Sequence, residues 1–216
     1  MKKKVIISLS AMLIVFFSAG LFLTRQDNSA EKAAIHQNKG KTIHLSGSYA
    51  IDPTNLAQVA GISDNVFIGE VMGEKETVYT GEARTPVTVY KVKVLENLKG
   101  ELSKKLPVKL YKFGGTAENG NLFIFEDDEM PQAGNYYAFS TQTTPSGYDL
   151  PAGSILASGM NSNIRLDENE VNGEKTGRSS GKILEFQDAV KAQVPFDRKR
   201  GEIVDSETYF SESLPE

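Results

Sequence analysis

The sequence predicts a mainly β domain, a small antiparallel barrel or sandwich with short helices, preceded by one N-terminal transmembrane or signal helix. Three observations carry this expectation. Val5–Leu23 is an uncharged apolar run behind Lys2, Lys3 and Lys4. Several short stretches between Asn65 and Leu166 alternate, or run apolar, in β-branched and aromatic residues. Turn chemistry marks their ends, at Asn119-Gly120, Gly134-Asn135 and Asn172-Gly173, and helical periodicity is brief.

The elements follow in chain order. A helix over 5–23 would be about 28 Å long, close to the ~30 Å hydrocarbon core of a bilayer. Three lysines before the run and only Arg25 close behind it place the N-terminus inside and the remainder outside the cytoplasm. The run is long for a secretory signal, and Ser18-Ala19-Gly20 and Asn28-Ser29-Ala30 are poor cleavage sites. Residues 1–23 therefore read as a signal-anchor in preference to a cleaved signal peptide. Residues 24–42 are polar and aperiodic, a tether. Thr54–Ile62 follows Pro53 and reads as a short helix stopped near Gly61.

Strands are expected at Asn65–Val71, Val87–Leu95, Pro107–Lys112, Leu122–Phe125 and Tyr136–Ser140, with weaker signals at Ile155–Leu156 and Ile164–Leu166. In the second of these, Thr88, Tyr90, Val92 and Val94 share one face, and Val87, Val89, Lys91 and Lys93 the other. In the third, Val108 and Leu110 alternate against Lys109 and Tyr111. The β domain spans 43–166. Residues 167–181 carry Val171 as their single apolar anchor and read as a solvated loop. Ile183, Leu184, Phe186, Val190 and Val194 mark a C-terminal helix over 182–195, ended by Pro195. Residues 196–216 are charged and read as a flexible tail.

Composition excludes several function classes. Beyond the three N-terminal lysines the chain holds 21 basic and 28 acidic residues, net −7. That balance disfavours nucleic-acid binding and electrostatic docking onto anionic polymer. With no cysteine the chain has no disulfide and no lipid-modified cysteine, so its fold rests on its core. No catalytic residue, metal site or cofactor motif is expected: phosphate-loop, G-x-S-x-G and spaced calcium-loop patterns are absent.

Asp64-Asn65-Val66-Phe67-Ile68-Gly69-Glu70-Val71 resembles the opening strand of netrin-like, or tissue-inhibitor-of-metalloproteinase-like, OB-fold domains. Tyr90–Gly100, ending in Leu98-Lys99-Gly100, is similar to their second strand, and Gly134-Asn135-Tyr136-Tyr137-Ala138-Phe139 to the closing one. The resemblance covers about 62–142. It implies an OB-like barrel and a binding role. It does not carry over the inhibitors' mechanism, which uses an N-terminal cysteine to chelate zinc. Independently, Gly69 within an apolar strand permits the bulge that a small barrel needs.

Two groups of residues are candidate contacts. Aromatic rings on OB-fold strands form ligand platforms, and Tyr111 and Tyr137 are the expected outward rings. Glu126, Asp127, Asp128 and Glu129 form the densest acidic run, read first as a solvated, edge-protecting turn and second as a site. His36 and His44 read as surface residues. The expected function is a membrane-tethered extracytoplasmic binding module whose partner is another envelope protein. The alternatives are an enzyme or accessory acting on envelope polymer, and a protease inhibitor on the resemblance alone.

Overall fold

The computed structural model describes residues 40–175 and 181–214. The expected membrane segment 1–23, the tether up to 39 and His36 lie outside them. Among the described residues no helix is long and apolar enough to cross a membrane.

Residue chemistry and pairing give nine strands and four helices among the described residues. They are β1 (Thr42–Leu45), α1 (Leu56–Ile62), β2 (Asn65–Thr80), β3 (Thr85–Lys99), β4 (Val108–Phe113), β5 (Gly115–Thr116), β6 (Leu122–Phe125), β7 (Tyr136–Thr143), β8 (Ile155–Ala157), β9 (Asn163–Leu166), α2 (Glu168–Lys175), α3 (Gly181–Lys191) and α4 (Asp205–Thr208). The fold is mainly β, as the alternation predicts.

β2 and β3 form one long hairpin, in register from Val66↔Lys99 to Thr80↔Thr85. Its register shifts at four places, one of them Ile68/Gly69, and each bulge bends the ribbon. A Cβ on Gly69 would stand 2.8 Å from Val92 Cγ1, so glycine lets the bent strands close up. β4 is antiparallel to β3, β8 parallel to β4, β8 antiparallel to β7, and β7 antiparallel to β2. Hydrogen-bonded neighbours thus run β2-β3-β4-β8-β7 and return to β2, with β9 added along β7. The sheet is mixed, which corrects the expected all-antiparallel arrangement. The reason is geometric: strand directions cannot alternate all the way round a cycle of five, so one pair must run parallel. A separate three-stranded sheet, β1-β6-β5, pairs β1 in parallel with β6.

Both faces of the main sheet are covered. Phe67, Tyr90, Val92, Leu110, Tyr137, Phe139 and Ile155 meet in one cluster. Val66, Ile68 and Ala138, of opposite parity, pack against Ala60, Ile183 and Phe186 from α1 and α3. Full burial of each large side chain contributes about 1.5–3 kcal/mol. The third cluster, Val87, Val89, Tyr111, Leu150 and Leu156, covers the remaining end, so β3 is buried on both sides there, as its apolar doublet predicts.

α1 starts at Asn55, whose side-chain oxygen accepts from the Ala57 and Gln58 N–H groups, an N-cap. It ends at Ile62, one residue past Gly61, as the sequence reading expects. A Cβ at Gly61 would fall 1.7 Å from the Val194 carbonyl oxygen. Gly61→Ala is therefore expected to destabilise by about 1–3 kcal/mol, the usual range for overpacking. Chemical denaturation would check this; an unchanged midpoint would mean the 192–195 backbone moves freely.

Three other expectations are corrected. The segment read as a solvated loop over 167–181 contains α2. The Asp167 N–H donates to the Glu170 carboxylate at 2.8 Å, the side-chain half of a capping box, the Glu170 N–H donates to the Asp167 backbone carbonyl at 3.0 Å, and Val171 is buried. The C-terminal helix ends at Lys191 and buries Ile183, Phe186 and Ala189, leaving Leu184 and Val194 exposed.

The segment 196–214, read as a flexible tail, is packed. Arg198 and Arg200 both pair with Asp64. They also donate to the carbonyls of Ile62 at 2.8 Å and Gly61 at 3.1 Å, at the C-terminus of α1, where cations are favoured. Further on, the Thr208 hydroxyl donates to the Gly153 carbonyl at 2.7 Å, and Tyr209 bridges to Val108. Charge alone suggested solvent; these cations and hydroxyls instead satisfy backbone carbonyls of the domain.

Candidate functional site

A cavity of about 570 Å³ opens between the 45–53 strap, which joins β1 to α1, and the main sheet. The strap is tied across it. The Met160 N–H donates to the Tyr49 hydroxyl at 3.1 Å, and Asn161 Nδ2 donates to the Pro53 carbonyl at 2.7 Å. Gly159 makes room for the Tyr49 ring: a Cβ there would stand 2.4 Å from it. The walls are apolar residues, among them Leu45, Ile51, Phe113, Phe125, Leu156 and Met160, interspersed with Ser46, Ser48, Ser140, Ser158 and Ser162. None of the described lining residues is charged, although charged residues make up 24% of the chain. The buried Ser140 hydroxyl has no hydrogen-bond partner. A volume in the 300–1,000 Å³ range with apolar walls and few polar groups is usual for ligand sites. The chemistry suits an uncharged ligand with one hydrogen-bonding group.

A smaller cavity of about 360 Å³ shares Leu45 and Thr85 with the first. It lies between the tips of the β2–β3 and β5–β6 hairpins, where Arg84 pairs with Glu118 and lies over the Tyr79 ring, 5.0 Å from its centroid.

The structure brings together a second constellation. Lys112, on β4, is fully buried, and its Nζ lies 2.5 Å from Asp128 Oδ2 and 2.7 Å from Ser162 Oγ. The Asp128 side chain is 3% exposed. Asp127 adopts a left-handed backbone, φ 56°, in the turn that carries Asp128. The turn is held down by Asn163 Nδ2 donating to the Glu129 carbonyl at 2.9 Å, and the Glu129 N–H donates to Asp128 Oδ1 at 3.0 Å. Burial pushes the Lys112 ammonium down and the Asp128 carboxyl up, each opposed by the partner's charge. Both shifts favour the neutral forms.

The sequence candidates fall differently from expectation. Tyr137 is 1% exposed, its ring 5.5 Å from that of Phe139 and its hydroxyl accepting from the Gln132 N–H at 3.0 Å. Tyr111 is 8% exposed and joins Val87, Val89, Leu150 and Leu156. Neither ring faces outward. On β7 the parity is the reverse of that expected, and over β4 the 144–154 connection brings Leu150 down onto the outer face. Glu126, Asp127 and Glu129 are exposed, as a solvated turn requires, but Asp128 is not. His44 lies exposed on β1. Among the described residues no three of His, Asp and Glu converge as metal ligands.

Lys112 was legible in part. It shares strand parity with Val108 and Leu110, which both face the core, so a lysine there had to be buried with a partner. The cavity was not legible, because its walls come from segments far apart in sequence.

The comparisons with known proteins found no family model and no curated protein that matches the chain.

Proposed function

We propose that the chain is a membrane-tethered, extracytoplasmic binding module with an OB-like barrel, whose cavity receives an uncharged, largely apolar segment of another envelope protein. The observation that carries this reading is the strap-covered cavity, with no charged residue among its described lining in a chain that is one-quarter charged. Catalysis by carboxylate or histidine would need such a group in the cleft, and Glu126–Glu129 and His44 do not line it. Support for the OB-like barrel comes from the cyclic neighbour order of five strands and from the short motifs at Asn65–Val71, Tyr90–Gly100 and Gly134–Phe139. The lysine-flanked apolar run at 5–23 supports the membrane tether and the extracytoplasmic address.

Ser158 is exposed at the cavity rim, so Ser158→Trp narrows the cavity without entering the core. Affinity capture from detergent-solubilised envelope is expected to yield one saturable partner with the native chain. Binding by Ser158→Trp is expected to be weaker by at least about tenfold, roughly 1.4 kcal/mol, with an unchanged circular dichroism spectrum. Equal capture by both proteins would place the contact elsewhere.

A further inference from the structure

We propose that Lys112 and Asp128 join their side chains in an amide bond, a self-formed cross-link that ties β4 to the 126–135 connection. The geometry is that of a held reactant pair. The amine lies 2.5 Å from one carboxyl oxygen, with Lys112 fully buried and Asp128 nearly so. Holding two reacting groups in contact replaces a bimolecular encounter by an effectively unimolecular step.

Each participant has a defined part. Asp128 Oδ2 faces the Lys112 Nζ and receives its first proton, which leaves a neutral amine beside a neutral carboxylic acid. Burial favours that pair of forms over the ionised ones. The amine nitrogen then attacks Asp128 Cγ. Negative charge develops on Oδ1, where the Glu129 N–H already donates at 3.0 Å, an oxyanion-stabilising contact. Ser162 Oγ, 2.7 Å from Nζ, is placed to pass a second proton from nitrogen to the departing oxygen. The C–Oδ2 bond breaks and one water leaves. An ammonium and a carboxylate are consumed, an amide and a water are formed, and no oxidant or cofactor is needed. The shallow cavity lined by Asp127, Asp128, Glu129 and Asn161 gives the water a way out.

The cross-link has a structural rationale in this chain. It has no cysteine, so no disulfide can staple the domain. The bond would instead close the loop between two residues 16 apart in sequence, at the place where Lys112 is buried among strands.

The test needs no ligand. The full chain, denatured and digested with trypsin and a glutamate-specific protease, is expected to yield a branched peptide joining residues 110–118 to 127–129. Its mass should be that of the two pieces less one water, and cleavage after Lys112 should be lost. Asp128→Ala is the control, in which the branch is absent and trypsin cuts after Lys112. Recovery of Lys112 and Asp128 from the folded native chain only in separate peptides, even after prolonged warming, would overturn the proposal and leave the pair a buried ion pair.

Discussion

Lys112→Met is expected to lower the unfolding free energy by about 3–5 kcal/mol, the usual cost of removing one partner of a buried ion pair. Methionine fills much of the lysine's volume but leaves the Asp128 carboxyl with no partner for Oδ2 and Ser162 Oγ without its donor. At this chain length each kcal/mol shifts the melting temperature by roughly 2–4 °C, so the loss is about 6–20 °C. The loss also depends on pH, with a definite sign. An unpaired, buried Asp128 has a folded pKa raised above the unfolded value of about 3.9. The penalty is therefore fully present above the folded pKa and fades as pH falls toward the unfolded value, where the carboxyl is neutral in both states. A deficit of equal size at pH 4 and pH 8 would mean that the carboxylate is solvated and that Lys112 acts only by packing.

The double variant Lys112→Met with Asp128→Leu separates two accounts of the same geometry. If the native contact is only an ion pair, replacing both charges by apolar side chains restores most of the lost stability, because no unpaired charge remains. If the native contact is an amide, the double variant still lacks the tie. By comparison with a disulfide closing a similar loop, about 3 kcal/mol of the deficit then persists. Denaturation midpoints of the native, single and double variants would be read together with the peptide masses.

Strand parity carried the most reliable part of the sequence reading. Tyr90, Val92 and Val94 face one cluster, and Val87 and Val89 another, because period-two alternation fixes facing wherever one face is buried. Parity failed at Tyr137 because Tyr136 and Tyr137 offer the same signal on opposite faces. The choice is made by Phe139, which stacks on Phe67 at 5.2 Å. The second half of β2, from Met72 to Thr80, was missed for another reason. Glu74 and Glu76, both exposed, gain their strand conformation by pairing with Tyr90 and Val89 on β3, with Lys75 in the bulge between them, and not by their own burial. The cap joining Asp167 and Glu170 was legible as D-x-x-E, followed directly by Val171. The cavity depends on Tyr49 reaching Met160, 111 residues away, and no local pattern encodes that contact.

Tyr209→Ala is expected to cost about 3–5 kcal/mol, the range for truncating a large aromatic in a core. A charged C-terminal segment gives no hint of this, yet Tyr209 is 7% exposed and belongs to the same cluster as Leu102 and Val108. Its hydroxyl accepts from the Ser103 N–H at 3.1 Å, so the ring pins the chain entering β4 as well as the segment that follows α4. Tyr209→Phe keeps the ring and loses that one bond, and is expected to cost only about 1 kcal/mol. The effect should also be regional. The Phe210 and Leu214 N–H groups, which donate to the Pro107 and Lys105 carbonyls at 2.9 and 3.2 Å, should lose hydrogen-exchange protection in Tyr209→Ala, whereas amides paired between β2 and β7 keep theirs longer. A change within about 0.5 kcal/mol, the usual size for a surface substitution, would return residues 205–214 to the loose tail that their charge suggests.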